Sequence, residues 1–394
     1  MNFCNAAVLR LTTLLVSVAA SFALEQDILQ WNTSSAAHAG ANAAAAANNI
    51  DFNIIDKCWR SDPTWARNRM KLADCTTGFG SKAYGGKGGE FYTVTDDGDD
   101  AQNPTPGTLR YGIIQLQPLW ITFARDMIIT LQNELIFTSD KTLDGRGANV
   151  HIANGPCLTV QYVSNVIIHG IHLHDCQPSK SSRVRSSTEH IGYRGGSDGD
   201  AIVIFGSHDI WIDHNTLSSS VDGLIDVIHA STGVTISNNY FSNQDKVMLF
   251  GHDDSYSADK GMRVTVPFNH FGPGLVQRMP RCRFGYVHVL NNDYDGWGEY
   301  ALGGSAGPTI ISEGNRFRAS SSAKQVTKRD CSSCPWQGWR WTSDGDSFLE
   351  GAYFVQSGTG VDAKTQIDIS GPGTFKPSFT AAAGALECSE GGAC

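Results

Sequence analysis

The chain has 394 residues, of which 41 % are apolar and 18 % charged, enough apolar material for a sizeable core. Its net charge of −9 argues against nucleic acid as a partner, so any polyanionic substrate would need cationic groups gathered locally. The 42 glycines point to many tight turns and few long helices.

Residues 1–23 read as a secretory signal. Arg10 precedes the apolar run Leu11–Ala20, and Ser21-Phe22-Ala23 offers small residues at cleavage positions. No later segment is apolar enough to cross a membrane, so a secreted, extracellular protein is expected. Residues 24–56 shift in composition: Ala36–Ala47 holds only Ala, Gly, Asn and His and shows no amphipathic stripe. It reads as an N-terminal linker outside the fold. Asn32-Thr33-Ser34 is a glycosylation sequon within it. The ordered domain is expected over 57–394, with a C-terminal tail after about Ser357 that either wraps the fold or hangs free.

Secretion makes disulfides the expected state of the cysteines. Cys58 with Cys75, and Cys157 with Cys176, are the preferred pairs. Cys331, Cys334, Cys388 and Cys394 should supply at least one more. Cys282 is the candidate for the thiol left over. No second pair with ligand spacing follows Cys331-x-x-Cys334, which argues against zinc.

The central half repeats. Asn215, Asn239, Asn269, Asn292 and Asn315 are separated by 24, 30, 23 and 23 residues. Two residues after each comes Leu217, Phe241, Phe271, Tyr294 or Phe317. Five before each comes Ile210, Val234, Val264, Val287 or Ile310, and three before come Ile212, Ile236, Val266 and Val289, with Ser312 the exception. Val166-Ile167-Ile168 fits the same frame, with Ile171 in place of the Asn. Apolar residues two apart mark a strand with one buried face. One strand-turn unit per twenty-odd residues marks a solenoid. Helical periodicity and regular leucine spacing are both lacking. The expected fold is therefore all-β, a single-stranded parallel β-helix, with the Asn amides stacked in a buried ladder.

Stacking brings residues one coil apart together. Asp198 and Asp200 precede Asp222 and Asp226 by about one coil, and each pair has even spacing, so four carboxylates are expected to meet. Such a group suits a hard divalent cation with oxygen ligands, Ca²⁺ before Mg²⁺. Lys246, Arg278, Arg281 and Arg283 follow beside it. A metal next to cationic side chains suits a substrate with several carboxylates. His172 and His174 share a strand face, and packing explains them better than a zinc site.

Several segments together resemble polysaccharide lyase family 1, the pectate lyases. Ser197–Phe205 (SDGDAIVIF), Ile210–Asn215 (IWIDHN), Val221–Val227 (VDGLIDV), Lys246–Gly251 (KVMLFG) and Val276–Gly285 (VQRMPRCRFG) follow in that family's order. Cys58–Asp62 (CWRSD), Leu72–Phe79 (LADCTTGF) and Leu143–Ala153 (LDGRGANVHIA) are similar to the plant and pollen-allergen branch. The resemblance runs from about residue 57 to 355. It implies a right-handed coil and cleavage of polygalacturonate, or low-ester pectin, by β-elimination to 4,5-unsaturated oligogalacturonides. By motif match, Asp200, Asp222 and Asp226 resemble the calcium ligands, with Asp198 at a position used when substrate recruits further calcium. Lys246 resembles a substrate-binding lysine, Arg278 the catalytic base and Arg283 a clamp for substrate carboxylates. Asp213 and His214 are expected to be structural, packing beside the site. A monomer is expected.

A guanidinium as base implies an alkaline optimum, since its reference pKa is about 12.5 or higher. Three other readings use the same groove. A hydrolase would employ Asp198 and Asp200 as an acid–base pair with water. A lyase for methyl-esterified pectin would not need the calcium cluster. A binding protein would hold pectate without cutting it.

Overall fold

The computed structural model describes residues 52–331, 333–358 and 375–394. The expected signal 1–23, most of the linker 24–56 and Asn32 lie outside the described residues.

Three parallel sheets of ten, nine and nine strands wrap one coil after another. One complete turn runs through the strands Gly223–Ile228, Thr232–Ser237 and Tyr240–Ser242 before the next coil opens with Gln244–Phe250. This is the parallel β-helix expected from the repeat, with the right-handed coil that the resemblance implies. Register follows the sequence frame: Val166, Ile210, Val234, Val264, Val287 and Ile310 are consecutive partners in the ten-stranded sheet. All six are fully buried in one axial core. Branched side chains suit this pleated, half-buried surface, which is why the strands carry them.

The Asn ladder forms as expected. Asn215 Nδ2 donates to Asn239 Oδ1 at 3.1 Å, and the same bond links Asn239 to Asn269 (3.0 Å), Asn269 to Asn292 (3.0 Å) and Asn292 to Asn315 (2.9 Å). Each acceptor amide also takes the preceding coil's backbone N–H, as Asn239 does from Asn215 at 2.9 Å. Buried turn amides are thus satisfied without water. Asp346 ends the ladder by accepting from Asn315. Beside it the rings of Phe241, Phe271, Tyr294, Phe317 and Phe348 stack in order.

A second apolar cluster covers the outer face of the ten-stranded sheet, where Trp120, Ile167 and Trp211 meet Ile55, Trp59, Trp65 and Leu72. Residues 53–56, expected in the linker, belong to this packing. Asn53 is buried, caps the helix Ile54–Trp59 and donates to Asn238 Oδ1 at 2.9 Å. The described C-terminal residues wrap the coil: Gly384 N–H donates to Asn238 O and Cys394 N–H to Arg60 O.

Cys58–Cys75 and Cys157–Cys176 are bonded as expected, with Cys331–Cys334 and Cys388–Cys394 beside them. Cys282 is the buried free thiol, and Cys331-x-x-Cys334 is a disulfide rather than a zinc half-site.

Asp213 and His214 are structural but do not sit beside the acidic cluster. Asp213 ends a strand of the ten-stranded sheet and His214 follows it, whereas Asp226 lies in a strand of another sheet and Asp198, Asp200 and Asp222 precede strands of that sheet. His214 Nε2 pairs with Asp56 Oδ1 at 2.8 Å, and Asp213 Oδ2 with His169 Nδ1 at 2.9 Å. They anchor the N-terminal helix and the C-terminal segment to the coil.

Candidate active site

The site forms on the outer face of the nine-stranded sheet that contains Ile202–Phe205, Gly223–Ile228, Gln244–Phe250 and Arg281–Cys282. The register offset between the first two strands is set by Val203 opposite Asp226. Asp198 and Asp200 therefore do not stack directly on Asp222 and Asp226. Instead Asp200 reaches Gly223, whose N–H donates to Asp200 Oδ1 at 2.6 Å. Gly223 has no side chain to separate its neighbours. A Cβ there would lie 2.7 Å from Asp200 Oδ1 and 3.1 Å from Asp226 Oδ1, so the two carboxylates converge on the space that the glycine leaves.

One carboxylate oxygen from each of Asp198, Asp200 and Asp222 lies within 4.8 Å of the other two. Asp198 is exposed, Asp200 is buried, and Asp222 and Asp226 are half-buried. Burial, then the charges of Asp198 and Asp222, pushes the Asp200 carboxyl up to about 7 against the opposing Gly223 N–H. Burial and then Asp200 and Asp222 raise Asp226 well above the usual carboxylate range, while Arg278 acts in the opposite direction. Carboxylates this crowded need protons or a cation. The donor set is all oxygen, and Asp198 carries it to an exposed edge, so the residues fit a hard divalent cation.

Lys246 lies on the next coil, opposite Gly223, and its Nζ is 2.5 Å from Asp222 Oδ1. An open cavity of about 350 Å³ is lined by Ser219–Asp222, Asn243–Lys246 and Gly274. Gln244 braces its wall: Nε2 donates to Asp222 O at 2.5 Å and Oε1 accepts from Ser220 N–H at 2.8 Å.

Arg278 is placed by a bulge. Lys246 pairs with Gln277, but Leu249 pairs with Arg281, so one strand spends an extra residue between them. Arg278 takes up the slack in the left-handed region at φ 63°, and its carbonyl accepts from Met248 N–H at 2.6 Å. A non-glycine residue in that region costs energy, and bulges re-aim side chains. Arg278 Nε is buried without a hydrogen-bond partner, although its charge acts on Asp226. The guanidinium is thus held near the carboxylates rather than consumed by a salt bridge.

Arg281 and Arg283 continue the basic side. Arg281 pairs with Asp330 at 2.9 Å, and Arg283 donates to Gly251 O at 2.7 Å. Burial, together with the nearby positive charges of Arg281 and Arg278, lowers the Arg283 pKa. Gly223, Gln244 and the bulge shape the candidate site and were not singled out from the sequence. Gly223 sits in the quoted VDGLIDV segment, and only the register shows what it is for.

His151, His172 and His174 pack against one another. His151 and His172 rings stack with centroids 4.5 Å apart, and His151 Nδ1 lies 2.9 Å from His174 Nε2.

The chain is similar to known proteins over most of its length. The family model described as pectate lyase matches residues 129–335. The chain is 60 % identical over 349 residues to a protein of Arabidopsis thaliana named probable pectate lyase 16, covering 87 % of this chain and 88 % of that one. It is 57 % identical over 349 residues to a protein of Zinnia elegans named pectate lyase, covering 87 % of each. The crystal structure of jun a 1, the major allergen from cedar pollen, matches with a TM-score of 0.82 at 51 % identity, covering 85 % of this chain and 99 % of that one. The thermostable pectate lyase PL 47 matches at 19 % identity with a TM-score of 0.56, covering 78 % of this chain and 96 % of that one, a likeness of fold.

Proposed function

The chain belongs to the pectate lyase family, enzymes of the polysaccharide lyase class, and from that premise we propose a secreted, calcium-dependent lyase acting on polygalacturonate and low-ester pectin. The observation that carries the proposal is the convergence of Asp200 and Asp226 on the space over Gly223, with Arg278 within electrostatic reach.

In this reading Asp200, Asp222 and Asp226 hold Ca²⁺, with Asp198 at the exposed edge available when substrate brings in further calcium. The bound ion would draw electron density from a uronate carboxylate, acidify the hydrogen on C5 and offset the charge that develops as it leaves. Arg278 serves as the base that takes that hydrogen. The bond from C4 to the glycosidic oxygen then breaks, the C5 electron pair becomes the 4,5-double bond of an unsaturated oligogalacturonide, and the departing oxygen takes a proton from solvent while Arg278 returns its own to solvent. No water is consumed. Lys246 and Arg283 hold substrate carboxylates on either side. Arg278 suits its part because its guanidinium lies close enough to the carboxylates to act on Asp226.

Four disulfides support an oxidising, extracellular location in the cell wall. The proposal includes removal of residues 1–23, a linker that leads into the β-helix domain, and a glycan on Asn32. It also includes action as a monomer.

The test is incubation with polygalacturonate, with calcium or with chelator, read by the ultraviolet absorbance of the unsaturated uronate. Absorbance that rises only with calcium is expected. Chain cleavage without that absorbance would indicate hydrolysis. Chelator-resistant cleavage of esterified pectin would indicate a pectin lyase, and binding without cleavage a wall-binding protein.

A further inference from the structure

The Lys246 ammonium lies where a bound cation would have to compete with it. Its Nζ is 2.5 Å from Asp222 Oδ1, and Asp222 is one of the three aspartates whose oxygens gather within 4.8 Å. The backbone of that turn does not depend on the ion pair. Gln244 holds the Asp222 carbonyl and the Ser220 N–H from the same coil as Lys246. The lysine side chain is about a third exposed and lines the open cavity, so its head has somewhere else to go.

We propose that Lys246 is a tethered competitor for calcium, neutralising Asp222 in the metal-free protein and released toward substrate when the ion binds. The inference rests on the calcium reading above and assigns a second role to the same lysine. Its physical basis is repulsion. An ammonium and a divalent cation on one carboxylate sit a few ångströms apart, with little water between them to screen the charge. Each therefore weakens the other's hold on Asp222. Linkage makes the effect reciprocal: the ammonium lowers calcium affinity by the factor by which calcium loosens the ammonium. A substrate carboxylate arriving beside the ion then meets a lysine already detached from its internal partner. Metal loading thus readies the substrate site.

The experiment is calcium titration calorimetry on the full chain without substrate. Lys246→Met keeps the aliphatic stem and removes the charge. It should bind calcium about fivefold more tightly than wild type, the upper end of what an exposed ion pair supplies. Lys246→Arg keeps the charge and should stay near wild type. A second readout follows the lysine directly. Acylation of Lys246 by an amine-reactive reagent, located by mass spectrometry, should speed up when calcium is added, while exposed Lys82 should not change. Equal calcium affinity in wild type and Lys246→Met, or acylation of Lys246 indifferent to calcium, would overturn this inference and leave the calcium reading intact. Failure of all three proteins to bind calcium would overturn both.

Discussion

Gly223 donates its N–H to Asp200 Oδ1 at 2.6 Å while the place of its missing side chain faces Asp226 Oδ1. One residue therefore orients one carboxylate and makes room for another. Gly223→Ala puts a methyl group 2.7 Å from Asp200 Oδ1 and 3.1 Å from Asp226 Oδ1. Two ligands have to move to accept it. Calcium affinity by calorimetry should fall by at least about tenfold, in line with the sensitivity of metal sites to ligand orientation. The thermal midpoint in chelator should change far less. An alanine variant with wild-type calcium affinity would show that the gap over Gly223 is not where the cation sits.

Arg278→Lys separates the base from the bulge that presents it. The backbone at φ 63° is as costly for lysine as for arginine, so folding should be spared. Turnover on polygalacturonate should drop by about 10³-fold, the middle of the range for a positioned acid or base. Circular dichroism and calcium binding should match wild type. Because a neutral guanidine is scarce at neutral pH, the wild-type rate should rise toward alkaline pH. An optimum near pH 5 would remove Arg278 from the role.

The repeat was legible because it is driven by burial. Val234, Val264 and Val287 must point inward in every coil, and Asn239, Asn269 and Asn292 must bond the coil above, so spacing alone revealed both columns. The aspartates were legible as a group but not in their register. Asp200 and Asp226 are 26 residues apart, yet Val203 is the true partner of Asp226. The turn before each strand absorbs the difference, and turn length is not written in side-chain periodicity. The bulge at Arg278 was hidden for the same reason: an extra residue between Gln277 and Arg281 shows only against the neighbouring strand. Asp213 and His214 were read correctly as structural, but their partner Asp56 lies in a segment with no repeat to index it.

Two buried imidazoles, His151 and His172, should withdraw stability as pH drops below about 6.5. Burial and the neighbouring His174 lower His151 to about 4, against a pull upward from Asp126. Burial, His151 and His174 lower His172 to about 3. Both imidazoles titrate near 6.5 when unfolded. Folded values below unfolded ones give stability that is full above 6.5 and lost as pH falls toward 4 and 3, because the unfolded chain takes up protons first. His214 runs the other way. Asp56 and Asp213 raise it despite burial, so its contribution is full below 6.5 and lost as pH rises through the folded value. Asp56 is lowered to about 2, with Arg60 and His214 outweighing burial, and adds a loss only below 3.8. Without calcium, the raised carboxyls of Asp200 and Asp226 favour folding as pH falls and so oppose the two imidazoles, which makes the difference between wild type and His172→Gln the quantity to read. Urea midpoints across pH measure it. His172→Gln should gain stability relative to wild type as pH falls below 6.5, and identical profiles would contradict the assignment.

Asp226→Asn should exchange stability for function in a way that calcium reverses. Burial and the charges of Asp200 and Asp222 raise the Asp226 carboxyl well above 3.8. A raised carboxylate gives stability that is full below the unfolded pKa and lost as pH rises, so the ionised group is a burden at neutral pH. Replacing it with the neutral amide removes that burden. In chelator at neutral pH the variant should melt about 2 °C higher than wild type, the shift expected of roughly 1 kcal/mol in a chain of this size. The advantage should vanish at pH 3, where wild-type Asp226 is protonated in both states. Added calcium should reverse the order, because an ion that binds only the folded wild type stabilises it by mass action. Parallel melting curves with and without calcium would mean that Asp226 neither suffers the repulsion nor contributes to the site.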